Sequence, residues 1–263
     1  MRILVEGQSV YASTGGRAHQ AGAPLVVFLH GAGMDHSVWS LQSRWFAHHG
    51  FRVLAVDLPG HGASEGSPLP DIPALAAWTA ALIEAQGGKA RLVGHSMGAL
   101  VALATAARYP ELIEGLALVG VGARMPVSPD LLGAAQANNH DAVDMVAIWG
   151  LGATAVRGGS PSPGLWMLGG AERLLERAAP GVLHADLAAC NAHGQAEADA
   201  ARVACPTALV LGERDLMTPA KSGLALAGKI AGAKATVIAG AGHTMTVEKP
   251  DETLAALKAW ARG

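Results

Sequence analysis

Residues 92–100 read LVGHSMGAL: an apolar run, a serine set between two glycines, then a run of helix formers. The residues before Gly94 have the composition of a buried strand and those after Ser96 that of a helix, so the serine falls on a sharp strand-to-helix turn. Gly94 and Gly98 answer a steric demand of such a turn, because a side chain at either place would meet the neighbouring strand or helix. The helix opening at Met97 offers a backbone N–H and the positive end of its dipole to negative charge formed at the serine. A chance Gly-Ser turn is the plain alternative for the pattern alone. Its placement between strand and helix, with partners downstream, makes Ser96 a candidate nucleophile.

Outward from that turn, short apolar runs recur at 24–31, 51–60, 89–96, 113–120, 206–213 and 234–240. They are continuous rather than alternating, as strands buried on both faces of a parallel sheet are. Helical patterns at about 37–49, 71–86, 97–108, 219–231 and 248–262 separate them. The fold class expected is α/β, a mostly parallel sheet flanked by helices, with residues 2–13 as an antiparallel hairpin or edge pair. One interval breaks the rhythm. From about 121 to 204 no strand pattern occurs, while PDLLGAAQA, HDAVDMVAIWG, GAERLLERAA and ADLAACNAHGQAEADAARV all read as helices. The interval is too long for a connecting loop, so 121–204 is expected to form a helical cap inserted into a core of 1–120 and 205–263. Its Gly/Pro/Ser run RGGSPSPG, residues 157–164, is expected to be a mobile loop.

A serine hydroxyl needs an adjacent base, itself oriented by a third group. Of the eleven histidines, His243 is the candidate base, because AGAGHTMTVEKP places it in a glycine-flanked loop between the last strand and the last helix. His30, His61 and His95 sit in turn motifs that suit packing or hydrogen bonding, and the others fall on surface or cap segments. The orienting acid should follow a strand between serine and histidine. LVLGERDLMTP offers Asp215 there, with Glu213 as runner-up, and VGVGARMP after the 113–120 strand contains no carboxylate. A tetrahedral oxyanion calls for two backbone donors. The N–H of Met97 is one; in FLHGAGMD, residues 28–35, Ala32 or Gly33 can turn a second inward.

The whole-chain numbers point to a compact globular protein with heavily buried elements rather than a disordered or nucleic-acid-binding one. Hydrophobic residues make up 51% of 263 and charged ones 15%, and the net charge of −2 gives no electrostatic reason to expect nucleic acid or an anionic membrane as partner. Cys190 and Cys205 have no zinc-like spacing and read as free thiols. No histidine pair is spaced as H-E-x-x-H, so no metal is expected. The N-terminus has no basic segment followed by an apolar core, and the cytoplasm is the expected location.

Taken in order, HGAG (30–33), DLPGHGAS (57–64), GHSMGA (94–99), GERD (212–215) and GAGH (240–243) resemble the α/β-hydrolase superfamily over nearly the full chain. The resemblance implies triad roles for Ser96, Asp215 and His243, oxyanion roles for Ala32 and Met97, and a structural loop for DLPGHGAS beside the site. It points to the carboxylesterase, lactonase and carbon–carbon hydrolase branches that carry a helical cap. Serine at position 96 speaks against the haloalkane dehalogenase and epoxide hydrolase branches, which use aspartate there. The implied reaction is acyl transfer from a small or medium carboxylic ester to water, with no cofactor. A lactone or carbon–carbon substrate is the alternative, as is a small-molecule receptor with a slow hydrolase triad.

Four cap residues, Met145, Trp149, Trp166 and Met167, are candidates for lining a substrate pocket, with Gly33 from the early loop; ordinary packing of the cap explains the four equally well. Arg124 is either a partner for a substrate carboxylate or a surface cation. GLGATA, residues 150–155, matches G-x-G-x-x-A formally but follows a helix rather than a strand, which argues against dinucleotide binding.

Overall fold

The computed structural model describes residues 1–160 and 164–262. The expected mobile loop at 157–164 thus lies partly outside the described residues. The strands are β1 (Arg2–Val5), β2 (Gln8–Ser13), β3 (Leu25–Leu29), β4 (Arg52–Val56), β5 (Ala90–His95), β6 (Ile113–Val119), β7 (Thr207–Gly212) and β8 (Lys234–Ile238). They form one sheet in the order β1-β2-β4-β3-β5-β6-β7-β8. The β1–β2 hairpin and the β2–β4 pairing are antiparallel, and every pairing from β4 to β8 is parallel.

All five residues of β3 are buried, yet they serve two cores. Leu25, Val27 and Leu29 face one apolar cluster, and Val26 and Phe28 face the other. This follows from the period of two in a strand and is the reason the run carries no polar alternation. Helices α1 (Ser40–His48), α2 (Ile72–Ala85) and α3 (Met97–Arg108) follow β3, β4 and β5, while α10 (Ala220–Ala227), α11 (Met245–Glu248) and α12 (Pro250–Arg262) close the chain. Phe46 of α1 and Leu257 of α12 cover one face; Leu75 of α2, Leu100 of α3 and Leu226 of α10 cover the other.

β8 departs from the reading of a strand buried on both faces, because Lys234 to Val237 are all exposed. It pairs only with β7 and forms the sheet edge, and its Lys234 suits an edge that must not recruit another strand. Between β6 and β7 run α4 (Pro129–Gln136), α5 (Asp141–Gly150), α6 (Ala153–Val156), α7 (Met167–Leu175), α8 (Val182–Ala192) and α9 (Ala196–Ala200). The stretch 185–203, read as one helix, is two: His193 turns extended and Gly194 follows it. The helices α4, α5, α7 and α8 share a separate apolar cluster of their own, to which Leu131, Val146, Leu175 and Leu187 belong.

A polar tie fixes the loop after β4. Asp57 accepts hydrogen bonds from the His36 and Ala63 N–H groups and from His36 Nδ1 at 2.7 Å. That ring bond with Asp57, outweighing the opposing effect of burial, raises the His36 pKa above 6.5. A raised folded-state pKa gives stability that is fully present below the ordinary value and is lost as pH rises through the folded one. The melting-temperature gap between wild type and His36→Asn should therefore be wider at pH 6 than at pH 9. Equal gaps would remove charge from the contribution of this pair.

Candidate active site

β3 leads outward to β4 on one side, and the chain then crosses to place β5 on the other side of β3. Ligands of open α/β sheets bind at such a switch point, beyond the carboxyl ends of the strands. The loop after β3, the turn after β5 and the loops after β7 and β8 all open there, and they carry Ala32, Ser96, Asp215 and His243.

Ser96 has φ 54° and ψ −118°, a conformation few residues with a side chain adopt. Such a backbone costs about 1–3 kcal/mol and persists only where the surroundings impose it. Here they do. The Ser96 N–H donates to Val119 O at 2.9 Å, and α3 begins at the next residue. A Cβ at Gly94 would stand 2.1 Å from Gly98 O, and one at Gly98 would stand 2.4 Å from Leu29 O and 2.5 Å from His30 O. The obstacles are backbone atoms, which no rotamer change can move. Gly98→Ala is accordingly expected to cost at least about 3 kcal/mol, the upper range for overpacking, and urea unfolding measures it. A change below 1 kcal/mol would mean that the turn has room after all.

His243 Nδ1 donates to Asp215 Oδ2 at 2.8 Å, with both side chains buried. Asp215 is itself held from four directions. Its Oδ1 accepts the N–H groups of Met217 and Thr218 at 2.9 and 2.7 Å, and its Oδ2 also accepts the Thr218 hydroxyl at 2.7 Å. Burial works against the carboxylate, but His243 and these donors more than offset it and keep the pKa below the ordinary value. Glu213, the alternative acid, is exposed and accepts the Gly240 N–H at 2.9 Å, so it anchors the turn after β8. The other ring nitrogen of His243, Nε2, is buried without a hydrogen-bond partner among the described residues.

Ser96 and His243 line one cavity of about 350 Å³ together with Ala32. Met34, Met125, Val127, Leu131, Val146, Trp149, Leu187, Leu216 and Met217 make its walls apolar. Neither the Ala32 nor the Met97 N–H donates to another group of the described residues, so both are available at the carboxyl ends of β3 and β5. The remaining pocket candidates divide. Trp149 lines this cavity, while Met167 lines an adjoining one of about 340 Å³ that shares Met34, Val146 and Thr244 with it. Met145 packs in the apolar cluster shared by α4, α5, α7 and α8, Trp166 is 62% exposed beside Gly169, and the exposed Arg124 lies against Gly194; none of them lines the Ser96 cavity. The Gly33 N–H points away from it, to Asp186 Oδ2 at 2.8 Å.

Several supporting residues carry no such signal in the sequence. Glu248 is one: its oxygens accept from the N–H groups of Gly152 and Gly242, tying the loop of His243 to the segment after α5. GLGATA thus brings a backbone close, since a Cβ on Gly242 would sit 2.4 Å from Gly152 N. His95 Nε2 donates to His243 O at 3.0 Å, and burial followed by repulsion from His243 lowers its pKa to about 3, so it stays neutral. His193, read as lying on a surface or cap segment, is buried. Asp35, His36 and Asp57 place ligand atoms within 4.8 Å of one another, but the Asp57 oxygens are already committed to N–H donors and Asp35 to Ser37 N and Arg177. No helix of the described residues is long and apolar enough to cross a membrane.

The chain is similar to the pimeloyl-[acyl-carrier protein] methyl ester esterase of Chromobacterium violaceum, with 35% identity over 212 residues, 78% of this chain and 81% of that one. Among solved structures it is similar to a thermophilic esterase, at TM-score 0.81 and 28% identity over 100% of this chain and 96% of that one. The enol-lactonase from Burkholderia xenovorans LB400 has the same fold, at TM-score 0.89 and 24% identity over the full length of both chains. The profile of the Alpha/beta hydrolase family matches residues 26–257, from the second residue of β3 into α12. The switch point, the glycine-bound serine turn, all of β3 but its first residue and every later strand lie inside that match, and the chain belongs to the alpha/beta hydrolase family.

Proposed function

We propose that the protein is a serine esterase of small or medium uncharged carboxylic esters, with Ser96, His243 and Asp215 as its triad and residues 121–204 as a cap over the site. The observation that carries this reading is the free Nε2 of a buried His243 that shares a cavity with a serine held at φ 54°, while its Nδ1 is bound to Asp215. With Nδ1 protonated by that bond, Nε2 keeps a lone pair for the serine proton. Ser96 Oγ attacks the ester carbon as His243 takes its proton. The oxyanion is received by the Ala32 and Met97 N–H groups, and collapse breaks the carbon–oxygen bond as His243 returns the proton to the departing alcohol. Water, losing its proton to His243, then attacks the acyl-enzyme and frees the acid and Ser96.

Among the described residues, the walls of the cavity offer no lysine or arginine to a charged acyl group, which would lose its hydration uncompensated. For p-nitrophenyl esters from acetate to palmitate, kcat/KM is expected to peak at short to medium chains. A succinate monoester should be worse by at least 10-fold. Best use of palmitate or the succinate monoester overturns this pocket reading. Turnover of no ester, lactone or ring-cleavage diketone overturns the enzyme reading and favours a ligand receptor.

A further inference from the structure

Behind the oxyanion loop lies a buried ion pair that joins the cap helices to the sheet. His61 Nδ1 faces Pro59 O at 3.0 Å, and His61 Nε2 faces Asp186 Oδ2 at 2.8 Å. A carbonyl and a carboxylate both accept, so each ring nitrogen must carry a proton and the ring is an imidazolium. Burial opposes that charge, but the Asp186 bond prevails and holds the His61 pKa above its ordinary value. The two side chains are 1% and 2% exposed. Around them are the neutral His30 ring, whose centroid is 4.8 Å from that of His61, Asp57 of the same loop, and Cys190 one turn along α8 from Asp186. A buried pair of this kind adds little net stability over an apolar replacement, so its value is sought in what it positions.

The same Asp186 oxygen accepts the Gly33 N–H at 2.8 Å. On the other side of Ala32, Gly31 O accepts from His30 Nδ1 at 2.9 Å and from Met34 N at 3.2 Å. The His30 tautomer is fixed for this, because its Nε2 accepts the Leu58 N–H at 3.1 Å. In a trans peptide the C=O and N–H point in opposite directions. Anchoring Gly31 O therefore aims the Ala32 N–H the other way, and anchoring the Gly33 N–H prevents the next peptide from turning. We infer that Asp186, with the His61 imidazolium as its counter-ion, is a positioning residue that makes a competent Ala32 oxyanion donor depend on helix α8 being seated on the sheet.

This inference rests on the serine-esterase reading. Its test compares Asp186→Leu, which removes the acceptor at similar volume, with Asp186→Asn, which keeps an oxygen for both donors. The measurements are kcat and KM for p-nitrophenyl butyrate, with the folded fraction taken from circular dichroism. Loss of one aimed oxyanion donor costs about 10²–10³ in kcat, so a misdirected one should cost about 10–100-fold. Asp186→Leu is expected to lose that much kcat with KM within about 3-fold, and Asp186→Asn to recover to within about 5-fold of wild type. Unchanged kcat per folded molecule, or a raised KM at unchanged kcat, overturns the inference while leaving the esterase reading intact. If Asp186→Leu does not fold, His61→Gln decides: it keeps an N–H for Asp186 but removes the charge. A kcat loss of about 3-fold or more at constant KM supports the inference, and an unchanged kcat overturns it. Wild-type turnover that is absent, or that survives Ser96→Ala, overturns both.

Discussion

Ser96→Ala is expected to lower kcat for ester hydrolysis on the order of 10⁵–10⁶-fold, equivalent to about 7–8 kcal/mol of transition-state stabilisation, while the fold stays intact. The size of the effect follows from the division of labour. Without a nucleophile, His243 has no hydroxyl to deprotonate, and what survives is substrate binding plus the backbone donors of Ala32 and Met97, a remainder of about 10³–10⁴ over water in such systems. Stability should hardly move. The substitution removes one Oγ from a residue 7% exposed, and the bond from its N–H to Val119 O stays in place. The positive φ is no easier for alanine than for serine, so the turn neither gains nor loses strain. Retention of more than a tenth of wild-type kcat would remove Ser96 from the mechanism. A fluorophosphonate should label Ser96 alone, and an adduct on another residue in the mass spectrum would do the same.

Ser96 was legible in the sequence because a strained turn leaves a local trace. The contacts that forbid a Cβ at Gly94 and Gly98 come from the turn itself and from the neighbouring strand end, which forces glycine at fixed offsets. The Asp215–His243 pair could be named for a related reason: both residues follow a strand, and strand ends of a parallel sheet share one edge. Asp186 leaves no such trace. It lies within α8, where a buried aspartate and a solvated one look alike, and its partner Gly33 is 153 residues away. Thr218 had a weak signal, a hydroxyl three residues after an aspartate, which is the spacing of a side-chain cap on a turn. The side chains of the segment between β6 and β7 were harder still. Trp149 and Trp166 are both apolar and lie close in sequence, yet only Trp149 meets the Ser96 cavity, because helix placement rather than composition decides which side faces it. The exposed β8 was missed since its run of apolar residues says nothing about whether another strand or a helix will cover it.

The site is also tied to the helices between β6 and β7 more closely than the motifs indicate. Thr244, next to His243, bonds Gly150 O through both its N–H and its hydroxyl, and Glu248 reaches Gly152 N. A displacement of the end of α5 would thus be felt directly by the loop that carries His243. Two of the elements that shape the cavity, α5 and α8, are therefore anchored respectively to the His243 loop and to the Ala32 loop.

Asp215→Asn is expected to lower kcat by about 10⁴-fold, and the hydrogen bonds around Asp215 explain why so small a change should do so much. Both oxygens of Asp215 accept, and each has donors that constrain an amide differently. Oδ1 receives two backbone N–H groups, from Met217 and Thr218, which cannot become acceptors. The amide oxygen of asparagine must therefore take that side, and its NH₂ must face Thr218 Oγ1 and His243 Nδ1. The hydroxyl of Thr218 can rotate to accept. The imidazole can meet an N–H only by presenting a lone pair at Nδ1, which moves its proton to Nε2 and leaves nothing to accept the proton of Ser96. The variant should fold with unchanged geometry and fail in chemistry, with kcat falling while KM changes little. Glu213→Gln is the control, because Glu213 is exposed, accepts the Gly240 N–H, which a glutamine oxygen also accepts, and otherwise meets the exposed Arg214 at 3.6 Å; its kcat should stay within about 3-fold of wild type. ¹⁵N spectra of histidine-labelled protein give the independent reading: the His243 proton should lie on Nδ1 in wild type and on Nε2 in Asp215→Asn. Should Glu213→Gln prove the damaging change and Asp215→Asn the harmless one, the acid role passes to Glu213, and the tautomer argument fails with it.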